Sequence, residues 1–332
     1  MKYIQLYNHN FISLSKIGLG CVTFGREIDE ETSFKILDYA FEKGINWLDT
    51  AEGYGGGNAQ LYRKKNLNVD DIREKTSLMN SSEIILGKWI ESRNCRKDLV
   101  ICTKVSSGNS PENIKKAIQS SLERLKVDHV EIYKLHSPDN SVPISESLSA
   151  LSEIISYGLV KVIGCSNFNF VQLNESLKVS KKFNYPSFDI AQNPFSLVAT
   201  ETKNKLIPFC NVNNIFVTSY SPLAAGFLTG KYTKNDPFPK GSRFDIIPGH
   251  ADIYFNKDNF KIVDDLQKLS RSLKIPNYKL AMSWVLSDTS IDSVIIGARK
   301  LQHIDNAISA MNSPLNENII NLIEKWLNKK TS

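Results

Sequence analysis

The chain has 332 residues, of which 41% are hydrophobic and 23% charged, as in an ordinary soluble globular protein. Its 41 basic and 35 acidic side chains give a formal charge of +6, and no run of five or six like charges occurs, so we expect no nucleic-acid partner. No stretch approaches 18 apolar residues, and the opening MKYIQLYNHN lacks the apolar core of a signal peptide, so neither a membrane span nor secretion is expected.

Short apolar runs alternate along the chain with amphipathic segments of helical period. The predicted strands are residues 16–20, 45–49, 99–104, 129–136, 160–166, 189–193, 215–220 and 293–296. The predicted helices are residues 29–43, 111–125, 144–157, 170–183, 202–212, 260–273, 278–288 and 301–311, with an extra C-terminal helix at 316–329. Eight β/α units in a row predict an α/β fold with one domain over 1–332, a (β/α)8 TIM barrel, and an open doubly wound sheet is the alternative.

Two long segments interrupt this alternation. One is an inserted loop at about 55–82, after the second strand, and the other is an extra loop at about 224–259, after the seventh. Loops of this length are usually functional or mobile. The first follows Tyr54 directly, so it either covers a substrate or is a floppy surface insertion.

The cysteines and histidines show no spacing typical of a metal site. The five cysteines include no C-x-x-C pair, so neither a disulfide framework nor a zinc site is expected, and a reducing, cytoplasmic location fits best. The segment GLGCVTFG contains G-x-G but lacks the third glycine and a following helix, so it is not expected to be a Rossmann phosphate loop.

Polar residues follow several predicted strands where each strand ends. The carboxyl ends of the strands of such a barrel meet at one face, where active sites lie. The residues at these ends are Asp49, Lys104, His136, Ser166, Asn167, Gln192 and Ser221. One polar residue at a strand end often marks only where the chain leaves the core, but several at neighbouring strand ends indicate a site.

Tyr54 lies five residues after Asp49 in DTAEGYGGG, where the glycines let the backbone turn sharply. A free phenol has a pKa of about 10, too high for efficient acid catalysis at neutral pH. We expect Lys104 to favour the phenolate and lower this pKa, and Asp49 to hold the ammonium. His136 would hydrogen-bond the substrate oxygen. The four residues predict a site that polarises and protonates a carbonyl.

Seven motifs carry a resemblance to the aldo-keto reductase superfamily over residues 17–311. In chain order they are DTAEGYGGG, ICTKV, YKLHSPD, GCSNF, AQNPFS, YSPLAAGFLTGKY and VIIGARK. The most specific part is Asp49 and Tyr54 with Lys104 and His136 on the next strand ends. The N-terminal segment is similar to the β-hairpin that closes the barrel bottom in that family.

The resemblance implies an NADP(H)-dependent oxidoreductase whose catalytic residues are Asp49, Tyr54, Lys104 and His136. Tyr54 would protonate the carbonyl oxygen while hydride arrives from the nicotinamide. Ser166, Asn167 and Gln192 match positions that bind the nicotinamide carboxamide, and their hydroxyl and amide groups suit it. Phe195 stands where the family usually has a tyrosine stacked on the nicotinamide ring, and it would keep the aromatic face.

The remaining cofactor positions implied by the resemblance lie near the ends of the chain and in its long loops. Ser221, Leu223, Gly226 and Lys231 match the pyrophosphate segment; Gly297, Arg299 and His303 match the adenosine side; Arg243 is a further phosphate candidate, and Thr23 is expected near the cofactor. Arg299 matches a residue that binds the adenosine 2′-phosphate. Many relatives have glutamine and asparagine where this chain has His303 and Ala307, so the adenine side departs from the family pattern.

The predicted function is NADPH-dependent reduction of an aldehyde, ketone or sugar carbonyl, with a small molecule as partner and no metal. Two alternatives stay open. One is a cofactor-binding protein, like a regulatory subunit, with little turnover. The other is a barrel enzyme of sugar metabolism with epimerase or dehydratase chemistry. The sequence leaves the oligomeric state open.

Overall fold

Eight parallel strands close into a barrel in which each strand pairs with the next along the chain and the last pairs with the first. The computed structural model describes residues 1–328. The strands are β1 (Tyr3–Leu6), β2 (His9–Ser15), β3 (Ile17–Gly20), β4 (Trp47–Asp49), β5 (Val100–Val105), β6 (Val130–Leu135), β7 (Val160–Ser166), β8 (Ile190–Pro194), β9 (Phe216–Tyr220) and β10 (Ser293–Gly297). The predicted TIM barrel is confirmed, and the open sheet is excluded because β10 pairs with both β9 and β3.

Helices follow the barrel strands. They are α1 (Glu30–Glu42), α2 (Gly56–Leu67), α3 (Ser81–Arg93), α4 (Pro111–Leu125), α5 (Ile144–Ser156), α6 (Phe170–Phe183), α7 (Leu206–Val212), α8 (Arg243–Ile246), α9 (Ala251–Tyr254), α10 (Lys257–Leu273), α11 (Asn277–Ser287), α12 (Leu301–Met311) and α13 (Glu317–Asn328). Residue 329 of the predicted C-terminal helix lies outside the described residues. Within residues 1–328, no helix has the length and apolar character needed to span a membrane.

Side-chain caps explain where several helices begin. The Asp29 carboxylate accepts from the Thr32 backbone N–H, and Ser110 accepts from that of Asn113, with proline in the first turn. Each of these bonds satisfies a backbone donor that has no partner within the helix. These two caps therefore account for the starts of α1 at Glu30 and of α4 at Pro111.

The β1–β2 hairpin closes the bottom of the barrel, as the sequence predicted. Leu6, Ile12 and Leu14 pack in one cluster with barrel-interior side chains such as Trp47. A Cβ on Gly18 would lie 2.5 Å from the Trp47 ring, so glycine is what lets that indole fill the lower barrel. With the bottom filled, only the opposite end of the barrel is left to take a ligand.

The segment at 55–82 is not an irregular loop. It contains the helix α2, and Arg63 on this helix is fully buried. The Arg63 guanidinium donates to both carboxylate oxygens of Glu74 at 2.7 Å and to the Ile246 carbonyl at 2.7 Å. Because Ile246 belongs to the long loop after β9, Arg63 ties the two long segments together.

The segment at 224–259 also has internal structure. It contains a 3-10 helix at Ala224–Thr229, the short helices α8 and α9, and the start of α10. Arg73 of the 55–82 segment donates to the Asp245 carbonyl at 2.5 Å. We call the two joined segments the roof, defined as residues 55–82 together with 224–259.

Candidate active site

Lys104 lies at the centre of the predicted acid site. Its ammonium Nζ donates to Asp49 Oδ2 at 2.7 Å and to the Thr50 carbonyl at 2.7 Å. It also lies 3.5 Å from the Tyr54 hydroxyl. Both members of the ion pair are buried, with side-chain exposures of 1% and 3%. The structure therefore brings the predicted acid, cation and carboxylate into one contact chain.

Tyr54 is held in place by close approach of the chain that precedes α3. The Ser82 N–H donates to the Tyr54 carbonyl at 3.3 Å. A Cβ on Gly56 would lie 1.6 Å from the Thr76 carbonyl oxygen, so only glycine allows this approach. The glycines after Tyr54 therefore act by admitting the backbone of residues 76–82.

The pKa of Tyr54 moves opposite to the prediction. Burial raises it, and although Lys104 opposes this, the net pKa is above the ordinary value. Burial also opposes the charge on Lys104, but Asp49, Tyr54 and Cys102 together outweigh burial, so the pKa of Lys104 is raised. The expectation that Lys104 alone would lower the phenol pKa is wrong, because desolvation penalises a phenolate more than the ammonium favours it. The phenol is therefore protonated at neutral pH, as a proton donor must be.

His136 faces the Tyr54 ring edge-on, with 5.4 Å between the ring centroids. Its Nδ1 lies 2.6 Å from the Ser106 hydroxyl, which fixes the ring orientation. Burial, assisted by the charge of Lys104, lowers the His136 pKa to about 3. The imidazole is therefore neutral and can donate or accept a hydrogen bond.

The predicted carboxamide group lies together beside the acid site. Ser166 donates to the Gln192 carbonyl at 3.0 Å, and the Asn167 amide donates to the His136 carbonyl at 2.8 Å. The Tyr220 hydroxyl donates to Asn167 Oδ1 at 2.7 Å. These contacts connect the ends of β6, β7, β8 and β9 around one point of the barrel mouth.

The position of Phe195 contradicts its predicted stacking role. Its ring is 1% exposed and stacks on Trp284, with 5.1 Å between centroids and 13° between planes. No face is left for a nicotinamide, because the ring is enclosed in the core. Tyr220, which the sequence analysis did not single out, is the aromatic side chain that contacts the amide group.

The predicted pyrophosphate segment follows β9 in an irregular backbone. Ser221 has a φ of 56° and Gly226 a φ of 89°. A Cβ on Gly226 would lie 3.6 Å from Lys231 Nζ, so the glycine leaves space beside this cation. Leu223 is partly buried against the core. Thr23, at the end of β3, donates to the Ala298 carbonyl at 3.1 Å and so lies beside the loop after β10.

The predicted adenosine-side cations are paired within the protein. Arg243 Nε lies 3.0 Å from Glu27 Oε1, and Arg26 lies 3.1 Å from the same oxygen. Arg299 donates to the Gly241 carbonyl at 2.6 Å, and its N–H donates to His303 Nδ1 at 3.2 Å.

At the end of β10, a Cβ added to Gly297 would have no heavy atom of the described residues within 4 Å, so space is open beside this glycine. This open space, together with the space beside Gly226 and the nearby cations, fits an extended anionic cofactor. Within residues 1–328, no three histidine, cysteine, aspartate or glutamate side chains gather as a metal site.

Lys134 is the main residue that the sequence analysis missed. It is fully buried inside the barrel, where Nζ donates to Gln192 Oε1 at 2.9 Å and lies 3.5 Å from Asp49 Oδ1. A signal exists in the sequence, because Lys134 precedes His136 by two residues and residues two apart on a strand share a face. The apolar residues around Lys134 in its strand hide this signal.

Known proteins match this chain over nearly its whole length. A sequence model of the aldo/keto reductase family matches residues 16–328. The chain is 29% identical to the NADH-specific methylglyoxal reductase of Escherichia coli (strain K12), over 92% of this chain and 92% of that protein. It is 27% identical to a probable voltage-gated potassium channel subunit beta of Oryza sativa subsp. japonica, over 94% and 91%. It is 25% identical to an aldo-keto reductase of Schizosaccharomyces pombe (strain 972 / ATCC 24843) named for NADP(+), over 91% and 85%.

Proposed function

Since this chain belongs to the aldo/keto reductase family, as its motifs predicted, we propose that it reduces an aldehyde, ketone or sugar carbonyl to the alcohol with NADPH. The observation that carries the proposal is the contact chain from Asp49 through Lys104 to the Tyr54 hydroxyl, 2.7 Å and then 3.5 Å long. This contact chain supports the proposal because a protonated phenol beside a buried cation suits proton donation to a carbonyl.

The proton moves from the Tyr54 hydroxyl to the carbonyl oxygen of the substrate. Lys104 stabilises the phenolate left behind, and Asp49 keeps the lysine charged and in place. His136, being neutral, donates a hydrogen bond to the substrate oxygen and orients the carbonyl toward Tyr54. The nicotinamide cofactor supplies the hydride when it is bound.

The cofactor would lie from the amide group to the cations beside β10. Ser166, Asn167 and Gln192 would bind the carboxamide, and Tyr220 replaces Phe195 as the proposed aromatic neighbour. The proposed contacts for the rest of the cofactor are Thr23, Ser221, Leu223, Gly226, Lys231, Arg243, Gly297, Arg299 and His303. Arg299 supports NADPH over NADH, because a guanidinium suits a 2′-phosphate. The relative named as NADH-specific makes it necessary to assay both cofactors.

The test is loss of NADPH or NADH absorbance with a panel of aldehydes, ketones and sugars, comparing the wild type with Tyr54→Phe. We expect a fall in kcat of about 10²–10⁴-fold, the usual size of a general-acid contribution, with cofactor affinity unchanged. Equal rates in the two proteins would remove Tyr54 from the mechanism.

A second candidate function is a cofactor-binding subunit with little turnover. It is favoured by the similarity to a protein named as a potassium channel beta subunit. Tight NADPH binding without oxidation across the carbonyl panel, together with stable association with another protein, would support this function instead.

We also propose a cytoplasmic location, which is supported by the five cysteines, all free and buried.

A further inference from the structure

Lys134 is an ammonium buried in the barrel with few partners. Its Nζ donates one hydrogen bond, to Gln192, and its other close neighbours are Asp49 Oδ1 at 3.5 Å and the Trp47 ring at 5.2 Å. An ammonium has three protons to donate. Burying such a charge costs several kcal/mol, and apolar residues of similar volume are often as stable or better. Stability alone therefore does not account for a lysine here.

The strand register makes the arrangement less favourable still. Lys134 on β6 is the Cα partner of Lys104 on β5. Both side chains lie inside the barrel, and like charges directly opposite each other destabilise a sheet. Asp49 lies between them and is the one carboxylate that contacts both among the described residues. Two cations sharing one anion leave a net positive charge below Tyr54.

The two oxygens of Asp49 are used differently. Oδ2 accepts from Lys104 at 2.7 Å and from the Gln192 amide at 3.2 Å. Oδ1 accepts no hydrogen bond within the described residues, and it is the oxygen that faces Lys134. Lys134 therefore balances part of the negative charge of Asp49. Asp49 then offsets less of the positive charge of Lys104, and this charge can stabilise a phenolate on Tyr54.

Lys134 also fixes the orientation of the Gln192 amide. Oε1 accepts from Lys134 and Nε2 donates to Asp49, so only one orientation satisfies both partners. One lone pair on Oε1 and one N–H of Nε2 remain for a ligand. These are the two groups needed to pair with a carboxamide.

We propose that Lys134 is a positioning residue for the reduction. It orients Gln192 toward the nicotinamide carboxamide and balances Asp49 so that Lys104 acts on Tyr54. This inference rests on the proposed function, because it assigns Lys134 a part in binding the cofactor and in proton donation.

Other charged and titratable groups also face the two residues involved, and they stay in place in every Lys134 variant. Around Tyr54 they are Lys104 on β5, Asp49 on β4, Arg26 after β3, His136 after β6 and Tyr220 on β9. Around Lys134 they are Asp49 on β4, Lys104 and Cys102 on β5, His136 after β6 and Cys165 on β7. The effect of removing one charge can therefore be measured against a constant background.

The experiment compares the wild type with Lys134→Met, which removes charge and donor, and Lys134→Gln, which removes only the charge. NADPH affinity is measured by fluorescence titration and kcat/KM as a function of pH. The phenol of Tyr54 is titrated by absorbance as the difference from a Tyr54→Phe variant in each background. This last readout needs neither cofactor nor substrate.

We expect Lys134→Met to weaken NADPH binding by about tenfold, the loss of one oriented polar contact. We expect both variants to move the Tyr54 titration, and the alkaline limb of kcat/KM, upward by about one pH unit. Lys134→Gln keeps a neutral amide donor on a side chain one atom shorter than lysine, so we expect it to lose less NADPH affinity than Lys134→Met while it shows the same pH shift.

A lysine that is merely structural would change thermal stability and nothing else. Unchanged NADPH affinity and an unchanged Tyr54 titration in folded variants would overturn the proposal. If Lys134→Met does not fold, an unshifted titration in Lys134→Gln overturns it alone. A wild type that neither binds nor oxidises NADPH would refute the proposed function, and the absorbance titration would still support or overturn the effect of Lys134 on Tyr54.

Discussion

Charged groups reach the barrel mouth from two sources, the strand ends and the loops above them. Lys104 and Asp49 are carried by paired strands, and their backbones are fixed by the ladder around them. Arg243 and Glu27 are carried by loops and hold each other at 3.0 Å. The barrel core thus fixes the positions of Lys104 and Asp49, which we call the strand groups. Arg243 and Glu27, the loop groups, instead hold each other in position. From this difference we expect the proposed acid site to be rigid and the proposed cofactor side to be adjustable.

We expect the largest effect from Lys104→Met, which removes the cation of the strand groups. The change leaves Asp49 with the Gln192 amide at 3.2 Å and the longer contact to Lys134, and it removes the cation beside Tyr54. We expect kcat to fall at least about 100-fold. The free energy of unfolding should fall by about 3 kcal/mol, the lower end for breaking a buried ion pair, because Lys134 still balances Asp49.

Lys161→Met on β7 is the matched control for Lys104→Met. Lys161 is exposed, so its replacement should change stability by no more than about 0.5 kcal/mol and leave the rate unchanged. Steady-state kinetics and urea unfolding measure both effects. A Lys104→Met protein with near-normal kcat would contradict the strand-borne acid site.

The next effect is expected in the roof, from Arg63→Met. It leaves Glu74 buried without its bidentate partner, which should cost about 3–5 kcal/mol. Because Arg63 joins two loop segments rather than barrel strands, the loss should be local. Hydrogen exchange should speed up in residues 55–78 and 243–250 while the barrel strands stay protected.

The neighbouring Lys64→Met is the control for the roof. Lys64 and Asp70 form an exposed ion pair, which water and salt screen, so its loss should hardly change stability. If Arg63→Met unfolds the barrel strands as readily as the roof, the roof is part of the barrel's cooperative unit. The distinction between strand groups and loop groups would then fail.

The contrast between strand and loop groups also explains what the sequence could predict. Asp49, Lys104 and His136 were placed correctly because a parallel barrel brings all carboxyl strand ends to one face. Phe195 was misplaced because the motif around it does not reveal that Trp284, almost 90 residues later in the chain, encloses its ring. The buried side chain of Arg63 could not be foreseen, since the run YRKKNLNVDDIREK is mostly polar and the partners of Arg63 come together only in the folded chain.

A loss of stability of intermediate size is expected when the pH is lowered. It involves one buried histidine beside the strand groups and one in the roof. Burial lowers the pKa of His136 to about 3 and that of His250, in the roof, to about 4. Between those values and about 6.5 the unfolded chain binds protons that the folded chain does not. Stability is therefore complete above pH 6.5 and falls toward pH 4, by about 1.4 kcal/mol per pH unit for each histidine.

Urea unfolding between pH 7 and pH 5 measures this slope. His136→Gln and His250→Gln should each remove a share of it, and the rest belongs to His129 and His303, whose pKa values burial also lowers. If His250→Gln leaves the slope unchanged, the roof opens before His250 is protonated, and the loop side is looser than its contacts indicate. The half-buried His129 is unsuitable as a control because burial lowers its pKa as well and it lies against Glu131, so the paired comparison of His136 and His250 is the better design.

The smallest effect is expected from Glu27→Gln, which tests whether the loop groups can rearrange to bind the cofactor. Glu27 Oε1 contacts both Arg26 and Arg243, so an incoming cofactor phosphate must compete with this carboxylate for Arg243. Glu27→Gln keeps the shape and removes the charge. We expect NADPH affinity to rise by about tenfold, or 1.4 kcal/mol, and NADH affinity to rise less. The exposed Glu30→Gln should change neither.

The gain in NADPH affinity compared with the gain in NADH affinity tells which cofactor phosphate Arg243 contacts. A gain confined to NADPH places the competing phosphate at the 2′-position, whereas an equal gain with NADH places it at the pyrophosphate. Either result keeps Glu27 as a competitor, and fluorescence titration distinguishes them. Weaker binding of both cofactors would instead mean that Glu27 holds Arg26 and Arg243 in the binding geometry, because a buried guanidinium without its carboxylate moves or lowers stability. In that case the loop groups would be as fixed in position as the strand groups. The two sides of the barrel mouth would then differ only in the chemistry of their side chains.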